Sequence, residues 1–156
     1  MGELLAVNIS KGGIPKLPIE RGDVTEAGLV GDGQAHAKHS KLSRALSILD
    51  IAEIDWLKSK GYAVGPGALG ENLTVRHVIA EDVQIGTRLL FSGGVEIEVT
   101  EIRKPCFVLD SVDITLKEVS VGRIGWMARV VKTGRLTPGE GITVVAPEAE
   151  GGREGR

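Results

Sequence analysis

Twenty-two of the 156 residues are glycine, and they fall between short apolar runs. A glycine inside a helix or strand costs about 0.5–1 kcal/mol relative to alanine, whereas in a turn it supplies backbone angles other residues avoid. This punctuation points to a mainly β chain of many short strands with few helices. Leu4 to Ile9 reads as a first strand leading into a wide turn at Lys11-Gly12-Gly13-Ile14-Pro15. Val83 to Phe91 and Val95 to Ile102 read as a hairpin joined through Ser92-Gly93-Gly94, with Gly-Gly as a two-residue turn. Ile124 to Val131 and Ile142 to Ala146 supply later strands, separated by the turn-forming Thr137-Pro138-Gly139-Glu140-Gly141. The clearest helix is Ile51 to Lys60, with Asp50 as N-cap, Glu53 at capping-box spacing and Gly61 as its stop; Ile51, Ile54 and Leu57 form its apolar face. No internal repeat or linker interrupts the pattern, so one unit is expected over residues 1–147, with residues 148–156 a flexible tail.

Composition narrows the function classes. One cysteine cannot form an intrachain disulfide, no apolar run approaches the ~18 residues of a membrane span, and Met1-Gly2-Glu3 opens on an acid, so a cytoplasmic protein without membrane attachment is expected. Aromatic residues are only 3% of the chain, too few for the stacking platforms of a single-strand nucleic-acid binder. The net charge of −2 conceals segregation. Gly33 to Leu49 holds no acid but His36, Lys38, His39, Lys41 and Arg44, and Val119 to Gly139 holds no acid but Arg123, Arg129, Lys132 and Arg135. Such stretches in an acidic protein suggest an anionic ligand.

Cys106 follows Arg103, Lys104 and Pro105 at the end of the hairpin. A thiol attacks, carries sulfur or binds metal as its thiolate, which neighbouring cations favour. Val95, Ile97 and Val99 keep period-2 alternation, but the next apolar residue is Ile102, an even position. The slip predicts a bulge near Thr100 and Glu101 that swings Cys106 onto the face of Ile102 and Lys104, making Lys104 the electrostatic partner of the sulfur. Other constellations are weaker. His36 and His39 beside Asp32 are too few for a closed zinc site, and a cysteine–histidine pair requires a histidine folded next to Cys106. Gly28, Gly31 and Gly33 suggest a turn whose amides, with Lys38, Lys41 and Arg44, hold an anion. Gly70-Glu71-Asn72-Leu73-Thr74-Val75 reads as a turn entering a strand, with Glu71 and Asn72 either satisfying the loop backbone or lining a pocket.

Four segments together resemble the MOSC domain, the module named after the C-terminal part of molybdenum cofactor sulfurase. They are Gly28-Leu29-Val30-Gly31-Asp32 with His36 and His39, Arg44 to Leu49, Pro66 to Val75 with its Gly-Glu-Asn turn, and Arg103-Lys104-Pro105-Cys106. Gly125 to Val130 and Pro138 to Ile142 look like the family's closing strands. The resemblance implies a closed β-barrel with a few short helices, and a cysteine at the Cys106 position that carries sulfur as a persulfide or contacts molybdenum. It implies a molybdenum cofactor (molybdopterin), with the phosphate held by Arg44, Lys38 and Lys41 near His36, polar ring edges oriented by Glu71 and Asn72, and Arg103 and Lys104 holding the thiolate. Three roles follow: a sulfur carrier or sulfurtransferase, a molybdenum-dependent oxidoreductase reducing N-hydroxylated compounds, or a non-catalytic cofactor carrier. The family also includes pyridoxal phosphate-binding desulfurases, but 156 residues leave no room for that domain and its pyridoxal phosphate site. Sulfur would therefore come from a cysteine desulfurase in trans, with a molybdoenzyme as the acceptor.

Overall fold

The computed structural model describes residues 1–33 and 41–147. The first four strands are β1 (Gly2–Ile9), β2 (Leu17–Ile19), β3 (Gly22–Thr25) and β4 (Gly28–Leu29). After a 3-10 turn at Leu42–Arg44 come β5 (Leu46–Asp50), helix α1 (Ile51–Ser59) and β6 (Leu73–Arg76). The hairpin strands β7 (Arg88–Phe91) and β8 (Glu96–Ile102) lead through a 3-10 turn at Phe107–Ser111 to the short helix α2 (Leu116–Val119). β9 (Trp126–Lys132), β10 (Gly134–Leu136) and β11 (Gly141–Val145) complete the described chain.

Hydrogen bonding runs in the order β11-β7-β8-β9-β5-β6-β1, and β1 pairs back onto β11, so these seven strands close a barrel. β2 extends the sheet beyond β1, and β10, β3 and β4 form a small second sheet. The expected mainly β, closed-barrel architecture is thus observed. Inward side chains such as Leu4, Val7, Ile48, Leu73, Val75 and Ile97 fill the barrel, each fully buried. Burying each large aliphatic side chain is worth about 1.5–3 kcal/mol.

A second apolar layer lies outside the barrel. α1 packs Ile54 and Leu57 against Leu49, and the same cluster takes in Leu69, Leu109 and Leu116. Leu69 and Leu109 belong to the two loops that flank the cleft described below, so this layer anchors both. It also explains β5, where all five residues are buried: Leu46 and Ile48 face the barrel interior while Leu49 faces α1. A strand covered on both faces shows no alternation, and this one gave no strand signal.

The helix forms where expected. Asp50 Oδ1 accepts from the Ala52 amide at 2.9 Å. At the other end the amides of Gly61 and Tyr62 bond to the carbonyls of Lys58 and Leu57, the Schellman arrangement. Glu53 does not reach back as a capping box; its carboxylate accepts from Arg123 Nη1 at 3.0 Å. The hairpin differs in two details. Its connection has three residues, Ser92 to Gly94, with the Phe91 amide bonding to Val95 and the Gly94 amide to Phe91. Its first strand spans only Arg88–Phe91, because a turn closed by the Thr87 amide on the Gln84 carbonyl occupies the preceding residues.

The expected bulge is present. Val99 faces Ala128 and Glu101 faces Met127, leaving Thr100 as the extra residue. Its hydroxyl lies within hydrogen-bond distance of the Met127 carbonyl (3.2 Å) and of the Ser43 carbonyl. The bulge therefore seats the turn that carries Arg44.

β5 approaches the residue before β9 so closely that no side chain fits there. A Cβ on Gly125, whose φ is +81°, would lie 1.8 Å from the Ile48 carbonyl oxygen. We predict that Gly125→Ala destabilises the fold by at least about 2 kcal/mol, combining a left-handed backbone with a backbone clash. Urea denaturation checks this, and a loss below about 0.5 kcal/mol would contradict it.

Candidate functional site

The floor of the site is a buried polar network joining β1, β5 and β6. Asn8, Glu71 and Thr74 are fully buried, and Asn72 is 2% exposed. Asn72 Oδ1 accepts from the Ser47 amide at 3.1 Å, and its Nδ2 donates to the Asn8 carbonyl at 3.2 Å. Asn8 Nδ2 donates to the Glu71 carbonyl (3.2 Å) and to Thr74 Oγ1 (3.0 Å). Glu71 Oε2 accepts from the Gly67 amide at 2.9 Å and from the Thr74 hydroxyl at 2.6 Å. Burial pushes the Glu71 carboxyl above its ordinary value of 4.5, opposed by these hydrogen bonds and by the Arg103 charge.

Gly67 ties this floor to the loop after β1. The Lys16 amide donates to its carbonyl at 2.8 Å, and a Cβ on Gly67 (φ +83°) would lie 2.0 Å from the Lys16 carbonyl oxygen. Lys16 Nζ in turn meets Asp32 Oδ1 at 2.6 Å, and Asp32 also accepts from the Ser10 amide at 3.0 Å.

Above the floor opens a cleft of about 310 Å³. Lys16, Arg44, Arg103 and Lys104 line it together with Cys106, and among the described residues no acidic side chain does. Cys106 is exposed and sits where the chain leaves β8 and enters the 3-10 turn at Phe107–Ser111, whose buried Leu109 holds it down. Arg44 Nε pairs with Glu101 at 3.1 Å on the rim. Arg103 turns beneath the rim: its backbone amide bonds to the Gly125 carbonyl at 2.9 Å, and Nη2 donates to the Leu69 carbonyl at 2.6 Å. Its Nη1 is buried and has no hydrogen-bond partner among the described residues. Burial pulls the guanidinium below the usual arginine range, while the charges of Glu71 and Cys106 oppose that shift.

The structure therefore brings Cys106, Arg44, Arg103, Lys104 and Asn72 together. Ile102, Lys104 and Cys106 are all exposed, as the register slip implies. Lys104 lines the cleft beside the sulfur, and Arg103, which turns under the cleft, also feels the charge of Cys106. Glu71 lies wholly beneath the floor and does not line the cleft, because Gly67 and Thr74 engage its carboxyl from within. Lys41 is exposed at the start of the Leu42–Arg44 turn and is not a lining residue. His36, Lys38 and His39 lie outside the described residues.

Two further expectations change. The amides of Asp32 and Gly33 bond to the carbonyls of Leu29 and Ser10, so those two donors are already engaged within the chain. The basic stretch from Val119 to Gly139 is spent on ion pairs: Arg123 with Glu53, Arg129 with Glu98, Lys132 with Glu96 and Arg135 with Asp23. Among the described residues no histidine lines the cleft and no group of His, Cys, Asp or Glu is placed to hold a metal. Lys16 is the residue that sequence reasoning missed. Its only signal was a position beside Pro15 in a glycine-rich loop, and its partner Asp32 lies on another segment.

A family model described as the MOSC domain matches residues 35–143, which include Cys106 and both cleft loops. The chain belongs to the MOSC domain family. A protein of Gibberella moniliformis named "Reductase" is 33% identical to this MOSC chain over 128 residues, covering 76% of the chain and 22% of the fungal protein. The uncharacterized protein YflK of Bacillus subtilis is 28% identical over 127 residues, covering 78% of this chain and 57% of its own. The MOSC chain thus spans from about a fifth to just over half of the length of these relatives. Among solved structures, the YUAD protein of Bacillus subtilis superimposes with a TM-score of 0.79 at 18% identity, over 95% of this chain and 98% of its own. YiiM of Geobacillus stearothermophilus gives 0.75 at 22% identity, over 93% and 75%. These likenesses establish a shared fold. Among the described residues no helix is long and apolar enough to cross a membrane.

The state of Glu71 is testable through pH. A carboxyl whose pKa is higher in the native than in the unfolded chain contributes stability that is complete below the unfolded value and lost as pH rises through the native one. Glu71→Gln keeps acceptors for Gly67 and Thr74 but cannot ionise. The stability of the variant relative to wild type should therefore grow as pH rises above 4.5, by about 1.4 kcal/mol for each unit of native elevation. Denaturant melts at several pH values measure this, and a difference that shrinks with rising pH would refute it.

Proposed function

We propose that the Cys106 cleft binds a molybdenum–pterin cofactor and that this chain is the cofactor-binding module of a reductase, with the Cys106 thiolate contacting the metal. The observation that carries the reading is the pairing of one exposed thiol with a cleft that, among the described residues, four cations and no acid line. An anionic group carrying a soft-ligand metal suits that donor set. The buried, unpartnered Nη1 of Arg103 supports the fit, since a buried donor without an acceptor is costly and an anionic ligand would supply one. The printed name of the fungal relative supports reduction as the reaction class.

In this reading Arg44 and Lys16 hold the phosphate, Arg suited to bidentate contact and Lys as a point charge kept in place by Asp32. Arg103, fixed by Leu69 and drawn to Glu71, keeps a positive charge beneath the cleft that holds the sulfur. Asn72 is committed to Ser47 and Asn8 and shapes the floor. The bound cofactor would supply two-electron redox chemistry on N-hydroxylated compounds, with electrons from a separate redox protein.

Exposure of Cys106 also favours a second reading, sulfur carriage. The Cys106 thiolate would attack the outer sulfur of a persulfide on a cysteine desulfurase, the donor sulfur–sulfur bond would break, and the donor cysteine would leave as its thiolate. Cys106 then holds the persulfide for a molybdoenzyme.

Protein from molybdenum-supplied cells should contain close to one molybdenum per chain. Cys106→Ser should lose most of it, and Arg103→Gln should weaken retention by about 10- to 100-fold, the range for residues that support a ligand from outside the coordination shell. Metal analysis of freshly purified protein tests this, with circular dichroism to confirm folding. Metal-free protein that gains one reductant-removable sulfur atom on incubation with a desulfurase and cysteine, a gain abolished by Cys106→Ser, would instead select sulfur carriage.

A further inference from the structure

A larger cavity, about 480 Å³, opens at the far end of β5 and is independent of the cysteine cleft. Three segments form it: the first turn of α1, the chain entering the Ala80–Asp82 turn, and the loop from Val121 to Trp126. Its size falls within the range of small-molecule sites. Two features distinguish it from a surface irregularity. Ile79 and Val121 stand on its rim 52% and 68% exposed, so two apolar side chains lack protein cover there, while Trp126, 8% exposed and packed into the barrel core, closes the inner end.

The second feature is its electrostatics. Among the described residues Asp50, Glu53 and Glu81 line the cavity against a single cation, Arg123. That cation is already committed: Nη1 donates to Glu53 at 3.0 Å, and the guanidinium stacks 3.8 Å from the centre of the Trp56 ring. Asp50 has one oxygen on the Ala52 amide and the other on the Val78 amide at 2.8 Å, which fixes its negative charge in the cavity wall. Glu81 makes no hydrogen bond or ion pair among the described residues. Among the described residues the unbalanced charge is therefore negative.

We propose that this cavity is a binding site for a small organic monocation with an apolar body, such as an aryl-alkyl amine, the ammonium facing Asp50 and Glu81 and the body packing on Ile79, Val121 and Trp126. The site shares β5 and β9 with the cysteine cleft but none of its lining residues, so it stands or falls separately from the cofactor reading.

The test uses the full chain carrying Cys106→Ser, which removes thiol chemistry. Titration with 2-phenylethylammonium, and separately with the near-isosteric 3-phenylpropionate, is followed by amide chemical shifts in a nitrogen–proton correlation spectrum. The amine should give saturable shifts concentrated at Ile79 to Glu81 and Val121 to Trp126, and should bind at least several-fold more tightly than the carboxylate. Glu81→Gln, a change at an exposed residue without a partner, should weaken the amine by about two- to five-fold, as expected for one solvent-accessible charge. Ile79→Ser should weaken both compounds and confirms the apolar wall without touching the core. Equal or tighter binding of the carboxylate, shifts centred elsewhere, or an amine affinity indifferent to Glu81→Gln would each overturn the proposal.

Discussion

A carboxyl and a carboxamide buried side by side, Glu71 and Asn72, are the constraint around which this molecule is arranged. Asn72 bonds to segments far away in sequence, Ser47 and Asn8, and the Glu71 carbonyl accepts from Asn8, while the Glu71 carboxylate closes its own loop on Gly67 and Thr74. In a low-dielectric interior such bonds strengthen when complete, and an unmade one costs about 1–3 kcal/mol, so the network admits one arrangement of its strands. It sits where β5 and β6 run parallel, the one parallel pair among the described strands. A parallel pair needs a crossover, and α1 with the loop to Gly70 provides it. The crossover then places Gly67 against Lys16 and Leu69 against Arg103. Two of the four cleft cations are thus held by the loop that the buried pair fixes.

The remaining walls come from a different device. The extra residue at Thr100 shifts the register of β8 before its last two pairs with β9 and holds the turn bearing Arg44 from the other side. β8 therefore delivers Arg103 inward and Cys106 outward within four residues. Sulfur and guanidinium become neighbours although no strand geometry would pair them. Rigid floor and irregular rim divide the labour: hydrogen bonds set the position of the cleft, and loop side chains set its charge.

Features governed by local chemistry were legible in the sequence. The α1 caps, the bulge and the closing strands all follow from residue types a few positions apart. β5 was not, because burial on both faces erases alternation, and β2 to β4 were not, because two- to four-residue strands carry too little pattern. The site was legible as a list but not as an arrangement. Cys106, Arg44 and Lys104 occupy the cleft, whereas Glu71 supports it from below and Lys16 enters it from a loop read only as a turn. Both differences arise from long-range contacts, which spacing along the chain does not encode.

The barrel closes through two residue pairs, Gly2 with Ile142 and Glu3 with Gly141. Closure therefore joins the first and the last of the described strands. Until β11 emerges, β1 can pair with β6 and β2 but keeps its Gly2–Glu3 end open on one side, and β7 lacks a neighbour on one side. Pairings of such long sequence separation form slowly, because loop-closure entropy must be overcome before any contact repays it. Those margins thus stay open until every intervening strand has formed, and an open strand edge is a template for pairing with another chain for that interval.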